Sequence, residues 1–299
     1  MSDHLVPAPD TRPAARSGTF RLGGDLDVVR LGYGAMQLTG PGVWGPPADP
    51  DGAVAVLRRA VELGVTFVDT ADAYGPGDCE DLIRTALHPY AGVVVATKAG
   101  LARTGPGRWH PLGRPEYLTQ CVELSLRRLG VETIDLLQLH RIDDGVPLED
   151  QVGALARLRE AGKIRHIGLS EVTVEQLTAA QRVAPIVSVQ NRYNLTERGS
   201  EPLLEHCTAQ GIAFIPWFPF ADGALARPDG PLGALARDSD RTAGQLALAW
   251  LLHRSPVVMP IPGTRSLAHL EENVAAADVT LDDAQRAALD ALGSLGPLG

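Results

Sequence analysis

Four ionisable side chains stand at or just beyond the ends of three apolar runs: Asp69 and Tyr74 in VDTADAYG, Lys98 closing VVVATK, and His140 closing IDLLQLH. Lysine and aspartate are rarely buried singly, so Lys98 and Asp69 are expected to pair. A cation beside a phenol stabilises phenolate, so Lys98 near Tyr74 is expected to bring the phenol below its ordinary value of about 10 and ease release of its proton. A neutral His140 donating to the same oxygen would orient a carbonyl, as an oxyanion-hole donor does. Taken singly, an Asp, Lys or His at a strand end is an ordinary loop anchor; together they read as a proton-transfer site with Tyr74 as general acid. Asp72, in the same loop, reads as an exposed turn residue. Cys79, Cys121 and Cys207 are scattered without metal-ligand spacing, so they read as small buried apolar groups on helices, reduced in a cytoplasmic protein.

The elements that must position these residues can be read from short apolar runs alternating with helical periods. The runs are VVRLGYG (28–34), VTFVDT (65–70), VVVATK (93–98), IDLLQLH (134–140), IRHIGLS (164–170), VSVQN (187–191), IAFIPW (212–217) and VVMPIP (257–262). They are continuously apolar rather than alternating, as parallel strands covered on both faces are. Val54, Leu57 and Val61 before Gly64, and Leu155 and Leu158 before Gly162, have the period and the glycine stop of helices. Thr173 with Gln176, and Thr242 with Gln245, have capping-box spacing. Eight alternations point to a (β/α)8 TIM barrel, opened by a β-hairpin at Gly23-Gly24 with a two-residue turn. An open dinucleotide-binding sheet would need a complete glycine fingerprint, and Gly32-Tyr33-Gly34 supplies only its start. Residues 1–17 are Pro, Ala and Arg rich and read as a disordered tail; residues 18–299 read as one barrel domain.

In such a barrel the active site lies at the C-terminal ends of the strands. Those ends carry Asp69 with Tyr74 beyond it, then Lys98, His140, Ser170-Glu171, Gln190-Asn191 and Trp217. The formal net charge of -9 gives no long-range attraction for nucleic acid or anionic lipid. No apolar run approaches the roughly 18 residues that span a bilayer. A small-molecule partner is therefore expected, with neither nucleic acid nor membrane; oligomeric state is open.

DTADAYG, VVATK, DLLQLH, HIGLS, VQNRYN and IPGTRSLAHLEEN stand in an order and spacing that resemble the aldo-keto reductase superfamily over nearly the whole chain, and within it RLGYGAMQLTGPGVWGPP and RSPVVMPIPGTRSLAHLEENV resemble bacterial members described as pyridoxal reductases or pyridoxine dehydrogenases. The resemblance implies a catalytic tetrad of Asp69, Tyr74, Lys98 and His140, and NADPH bound without a Rossmann fold. It implies that Trp217 stacks on the nicotinamide and that Ser170 and Gln190 hold its carboxamide. It assigns Gly263, Thr264 and Arg265, with Ser266, to the phosphates, Arg265 pairing with a 2′-phosphate, and Glu272 and Asn273 to the adenine. The family usually has Ser-Asn where this chain has Ser170-Glu171, and a carboxylate cannot donate to a carboxamide oxygen. Either Glu171 accepts from the carboxamide NH2 or it points elsewhere. Trp44, Trp109 and Phe220, on loops, are candidate walls for a small-molecule carbonyl substrate, pyridoxal or a secondary metabolite. Two other functions stay open: a glycoside hydrolase using Asp69 and Glu171 as paired carboxylates, and a non-catalytic cofactor-binding redox sensor.

Overall fold

The computed structural model describes residues 12–293. It opens with a 3-10 turn over Pro13–Ser17, followed by an antiparallel hairpin of β1 (Thr19–Leu22) and β2 (Leu26–Val29). Residues 1–11 of the expected tail lie outside the described residues, but Pro13–Ser17 is ordered. Ala14 donates its N–H to Leu63 and is fully buried, and the Ser17 hydroxyl accepts from the Leu31 N–H, so these residues are fastened to the first strand and helix. The hairpin turn has three residues, one more than expected, because Leu22 pairs with Leu26. The third residue, Asp25, reaches across to Arg165 and His166. Gly23 is required there: a Cβ at that position would stand 2.2 Å from the His166 ring.

The barrel strands then follow, pairing in parallel in sequence order. The first three are β3 (Tyr33–Gly34), β4 (Phe67–Asp69) and β5 (Val94–Ala99). An antiparallel hairpin, β6 (Leu101–Gly105) and β7 (Arg108–Pro111), is inserted at the rim after β5. Four more barrel strands complete the regular sheet: β8 (Ile134–Leu139), β9 (Ile164–Ser170), β10 (Ile186–Arg192) and β11 (Ala213–Trp217). The eighth run, residues 257–262, closes the sheet without a regular ladder. On one side Phe214 donates to the Val257 carbonyl and accepts from Met259; on the other Gly32 donates to Pro260. Pro260 and Pro262 have no N–H to give, which explains why this strand is reduced to a few bonds. The chain is a (β/α)8 barrel.

The helices are α1 (Pro50–Glu62), α2 (Asp78–Leu87), α3 (Pro115–Leu129), α4 (Leu148–Glu160), α5 (Val174–Gln181), α6 (Glu201–Gln210), α7 (Gly233–Asp238), α8 (Ala243–Arg254), α9 (Leu267–Val274) and α10 (Asp283–Gly293). α1 buries Ala53, Val56, Leu57 and Ala60, so its inner face is turned slightly from the one marked by Val54 and Val61, and Gly64 follows it at a φ of +94°. Both expected capping boxes, at Thr173 and Thr242, are formed.

Strand alternation divides the core. Phe67, Val94, Ala96, Leu136, Ala213, Ile215, Met259 and Ile261 fill the barrel interior, and Leu22 and Val28 of the hairpin plug it from the N-terminal end. The alternate residues, such as Val68, Val95, Leu137, Ile167, Val189 and Phe214, face the helices.

Candidate active site

The same alternation fixes which polar residues look inward. Counting in twos from Phe67 gives Asp69; from Val94, Lys98; from Leu136, Gln138 and His140; from Ala213, Trp217. The register then brings these positions level: Asp69 lies beside Ala96, Lys98 beside Gln138, and Ser170 beside Gln190. Above the apolar plug the interior therefore turns polar at the C-terminal rim.

There Lys98 is fully buried and its Nζ donates to Asp69 Oδ2 at 2.6 Å, to the Thr70 carbonyl at 2.7 Å and to the Tyr74 hydroxyl at 3.4 Å. Asp69 Oδ1 accepts from Gln190 Nε2 at 2.8 Å and Gln138 Nε2 at 3.2 Å, so both carboxylate oxygens are engaged. Burial pulls the Lys98 ammonium down, but Asp69 and, after it, Tyr74 together more than offset it and hold Lys98 above its ordinary value. Tyr74 corrects the expectation for its acidity: burial pushes the phenol up, and Lys98 counteracts that without overturning it. The ammonium faces Asp69 and Thr70 at closer range than Tyr74, which is why its effect on the phenol is secondary.

His140 is buried, its ring edge-on to Tyr74 with centroids 5.8 Å apart. Burial, reinforced by Lys98, Arg141 and Arg103, drives its pKa well below the ordinary 6.5, so the imidazole is neutral. Its Nδ1 has no hydrogen-bond partner among the described residues.

Along the next strands Ser170 Oγ accepts from Arg141 Nη1 at 3.0 Å, and Trp217 is half-buried at the end of β11. Glu171 points away from a carboxamide role: its Oε1 accepts from the Trp217 indole N–H and from the Arg192 backbone N–H, both at 2.6 Å. With Asp69 and Glu171 each tied to other groups, a paired-carboxylate hydrolase has no free carboxylate at these positions.

On the β3 side, Gly34 and the segment after Ile261 are in backbone contact, and a Cβ on Gly263 would fall 2.5 Å from the Gly34 carbonyl. Tyr33 donates its hydroxyl to the Thr264 carbonyl, and Thr264 Oγ1 accepts from the Ser266 N–H, with Ser266 capping α9. Arg265 is exposed and makes no ion pair among the described residues. Glu272 accepts from Thr242 Oγ1 at 2.6 Å, tying α9 to the start of α8, and Asn273 is buried beside it.

The structure brings two of the three expected wall aromatics together. Trp109 on β7 lies edge-on to both Tyr74 and His140, with centroids 6.3 Å away in each case, and Trp44 is 38% exposed at the rim. Between them sits Arg103, a residue that no motif in the sequence marks. It packs its guanidinium 3.5 Å from the Trp109 ring centre and 5.6 Å from that of Trp44. All five of its N–H groups donate to carbonyls, those of Gly42, Val43, Ala73, Gly105 and Arg108. Phe220 instead packs against the main core near Gly244 on α8 and is not brought beside Tyr74. Asp72 also departs from expectation: it is buried, facing Cys121 and Arg128 of α3 and Glu80 of α2, and burial raises its pKa to about 7. Cys79, Cys121 and Cys207 are buried free thiols on α2, α3 and α6, as expected.

Residues 30–294 match the Aldo/keto reductase family. An uncharacterised oxidoreductase of Schizosaccharomyces pombe is 52% identical over 277 residues, 93% of this chain and 90% of that protein. Pyridoxine 4-dehydrogenase of Escherichia coli is 42% identical over 283 residues, 92% and 98% of the two chains. Among solved structures, an aldo-keto reductase from Klebsiella pneumoniae in complex with NADPH superposes with a TM-score of 0.78 at 29% identity, covering 92% of this chain and 94% of that one. Glycerol dehydrogenase of Gluconobacter oxydans gives 0.84 at 28% identity, over 92% and 95%. Barrel, rim residues and matches agree: the chain belongs to the aldo/keto reductase family and is an oxidoreductase that works with a nicotinamide dinucleotide.

Proposed function

We propose that the protein is an NADPH-dependent carbonyl reductase in which Tyr74 is the general acid. The observation that carries this reading is the buried Lys98, whose three N–H groups go to Asp69, Thr70 and Tyr74. Because the Tyr74 oxygen accepts from lysine, its own hydrogen is left to donate into the open side of the site. Asp69 keeps the lysine charged, and the charge stabilises the phenolate left after proton transfer. His140, neutral and with its proton on Nε2, donates to the same carbonyl oxygen and orients it.

The rim residues also fit the cofactor. Ser170 accepts from Arg141 and keeps a hydrogen to donate; Gln190 donates Nε2 to Asp69 and keeps an oxygen to accept. Together they offer the one donor and one acceptor that a carboxamide needs, so the missing asparagine at Glu171 is not essential. Trp217 would face the nicotinamide, Gly263, Thr264, Ser266 and Arg265 the phosphates, and Glu272 and Asn273 the adenine. When bound, the dinucleotide supplies the hydride that goes to the carbonyl carbon.

The aromatic wall of Trp44 and Trp109 and the similarity to pyridoxine 4-dehydrogenase support a flat aromatic aldehyde such as pyridoxal as substrate. The three buried free thiols support a reducing, cytoplasmic setting. The test is a panel of carbonyls, pyridoxal among them, with NADPH or NADH, followed by absorbance of the reduced cofactor. Carbonyl-dependent oxidation of NADPH is expected. Binding of NADPH with no turnover on any aldehyde would leave only the cofactor-binding sensor. Arg265→Ala should weaken NADPH binding by about 1.5 to 3 kcal/mol while leaving NADH unchanged, since only the 2′-phosphate loses a charged partner. Equal loss for both would make Arg265 structural.

A further inference from the structure

At Glu171 the backbone sits in the left-handed region, at a φ of +55°, which an L side chain adopts only when its surroundings impose it. The conformation has a geometric result. The Glu171 N–H donates to the Gln190 carbonyl at 3.0 Å, while the side chain turns across β10 to the end of β11. There one carboxylate oxygen receives two donors at 2.6 Å, the indole N–H of Trp217 and the amide of Arg192. Arg192 and Trp217 are themselves paired in the ladder, so Glu171 joins the ends of β9, β10 and β11 at one point. Two guanidinium groups flank the same indole, Arg192 at 5.6 Å and Arg141 at 6.0 Å from its ring centre. An ionised carboxylate only accepts, so both bonds are charge-assisted, and its charge sits beside the two cations.

We propose that Glu171 is a positioning residue for Trp217: it locks the indole in one orientation before any cofactor arrives, so that a preset aromatic face meets the nicotinamide. The inference rests on the reading of Trp217 as the nicotinamide wall. It assigns Glu171 a role through the tryptophan, with no contact to the cofactor. Without the carboxylate the indole regains rotamer freedom, and binding must order it again. Ordering one such side chain corresponds to about a three- to tenfold loss of affinity.

Two readouts test this, one of them needing no ligand. In unliganded protein labelled at indole nitrogen, the Trp217 N–H resonance is identified by its loss in Trp217→Phe. Its exchange with solvent should be faster in Glu171→Ala than in the parent; unchanged exchange overturns the proposal. Calorimetric titration with NADPH then completes a cycle. Glu171→Ala should raise Kd about three- to tenfold when Trp217 is present and should have no further effect in the Trp217→Phe background, because phenylalanine has no N–H to hold. The same factor in both backgrounds overturns the proposal. Glu171→Gln, which keeps a carbonyl acceptor, should restore much of the affinity, as a merely structural glutamate would not require. If Trp217→Phe alone leaves NADPH affinity at the parent value, the cofactor reading of Trp217 fails, and indole exchange still decides whether Glu171 holds it.

Discussion

Lys98 shows how much one side chain's hydrogens determine. Three donors meet three acceptors, and that arithmetic sets the direction of the Tyr74 hydroxyl. The residue types and the parity of the strands make this group legible in the amino-acid sequence alone. The net direction of the phenol's shift is not legible there, because it depends on how completely loops cover Tyr74. Asp72 escapes for the same reason: α3 lands on it from nearly fifty residues away, and nothing in DTADAYG announces Cys121 or Arg128. That burial has a pH consequence. Folded Asp72 titrates near 7 against an ordinary 3.8, so the native state holds the extra proton. The stability it contributes is full below 3.8 and is lost as pH rises toward about 7. Asp72→Asn keeps the neutral form at every pH, so its thermal midpoint relative to the parent should climb across that window. A constant difference would mean that Asp72 is ionised in the native state.

At the scale of elements, the β6–β7 hairpin is the part that the sequence conceals. Its residues ARTGPGRWHP carry a Gly-Pro-Gly turn but no apolar run, so they read as loop. Its position is set by Arg103, which joins the hairpin to the carbonyls at Gly42 and Val43 and at Ala73. Three segments that line the site thus share one pin. Lysine at 103 has three donors in place of five and cannot bridge them all. Arg103→Lys should raise KM for the carbonyl substrate by about tenfold, the scale of one charge-assisted bond, with NADPH affinity unchanged. Parallel loss of cofactor affinity would show that the hairpin supports the whole rim. Phe220 does not serve as a wall residue because its segment takes another course, with positive φ at Phe218, Ala221 and Asp222. Such turns carry no signal when the residues are not glycine.

At the scale of the molecule, the barrel is legible because its strands are continuous apolar runs, several helices stop at a glycine and two begin in capping boxes. The irregular eighth strand is legible as a run, while its proline-broken ladder becomes clear only from its neighbours on both sides. What the fold contributes is convergence: each strand delivers its last inward residue to the same mouth. In the proposed mechanism this convergence makes Tyr74 a proton donor to a carbonyl reduced by NADPH. Turnover of Tyr74→Phe, measured as NADPH oxidation on the best carbonyl of the panel with the Kd for NADPH determined alongside, tests it most directly. At least about a 100-fold fall in turnover is expected, with cofactor affinity nearly unchanged. Turnover close to that of the parent enzyme would contradict it.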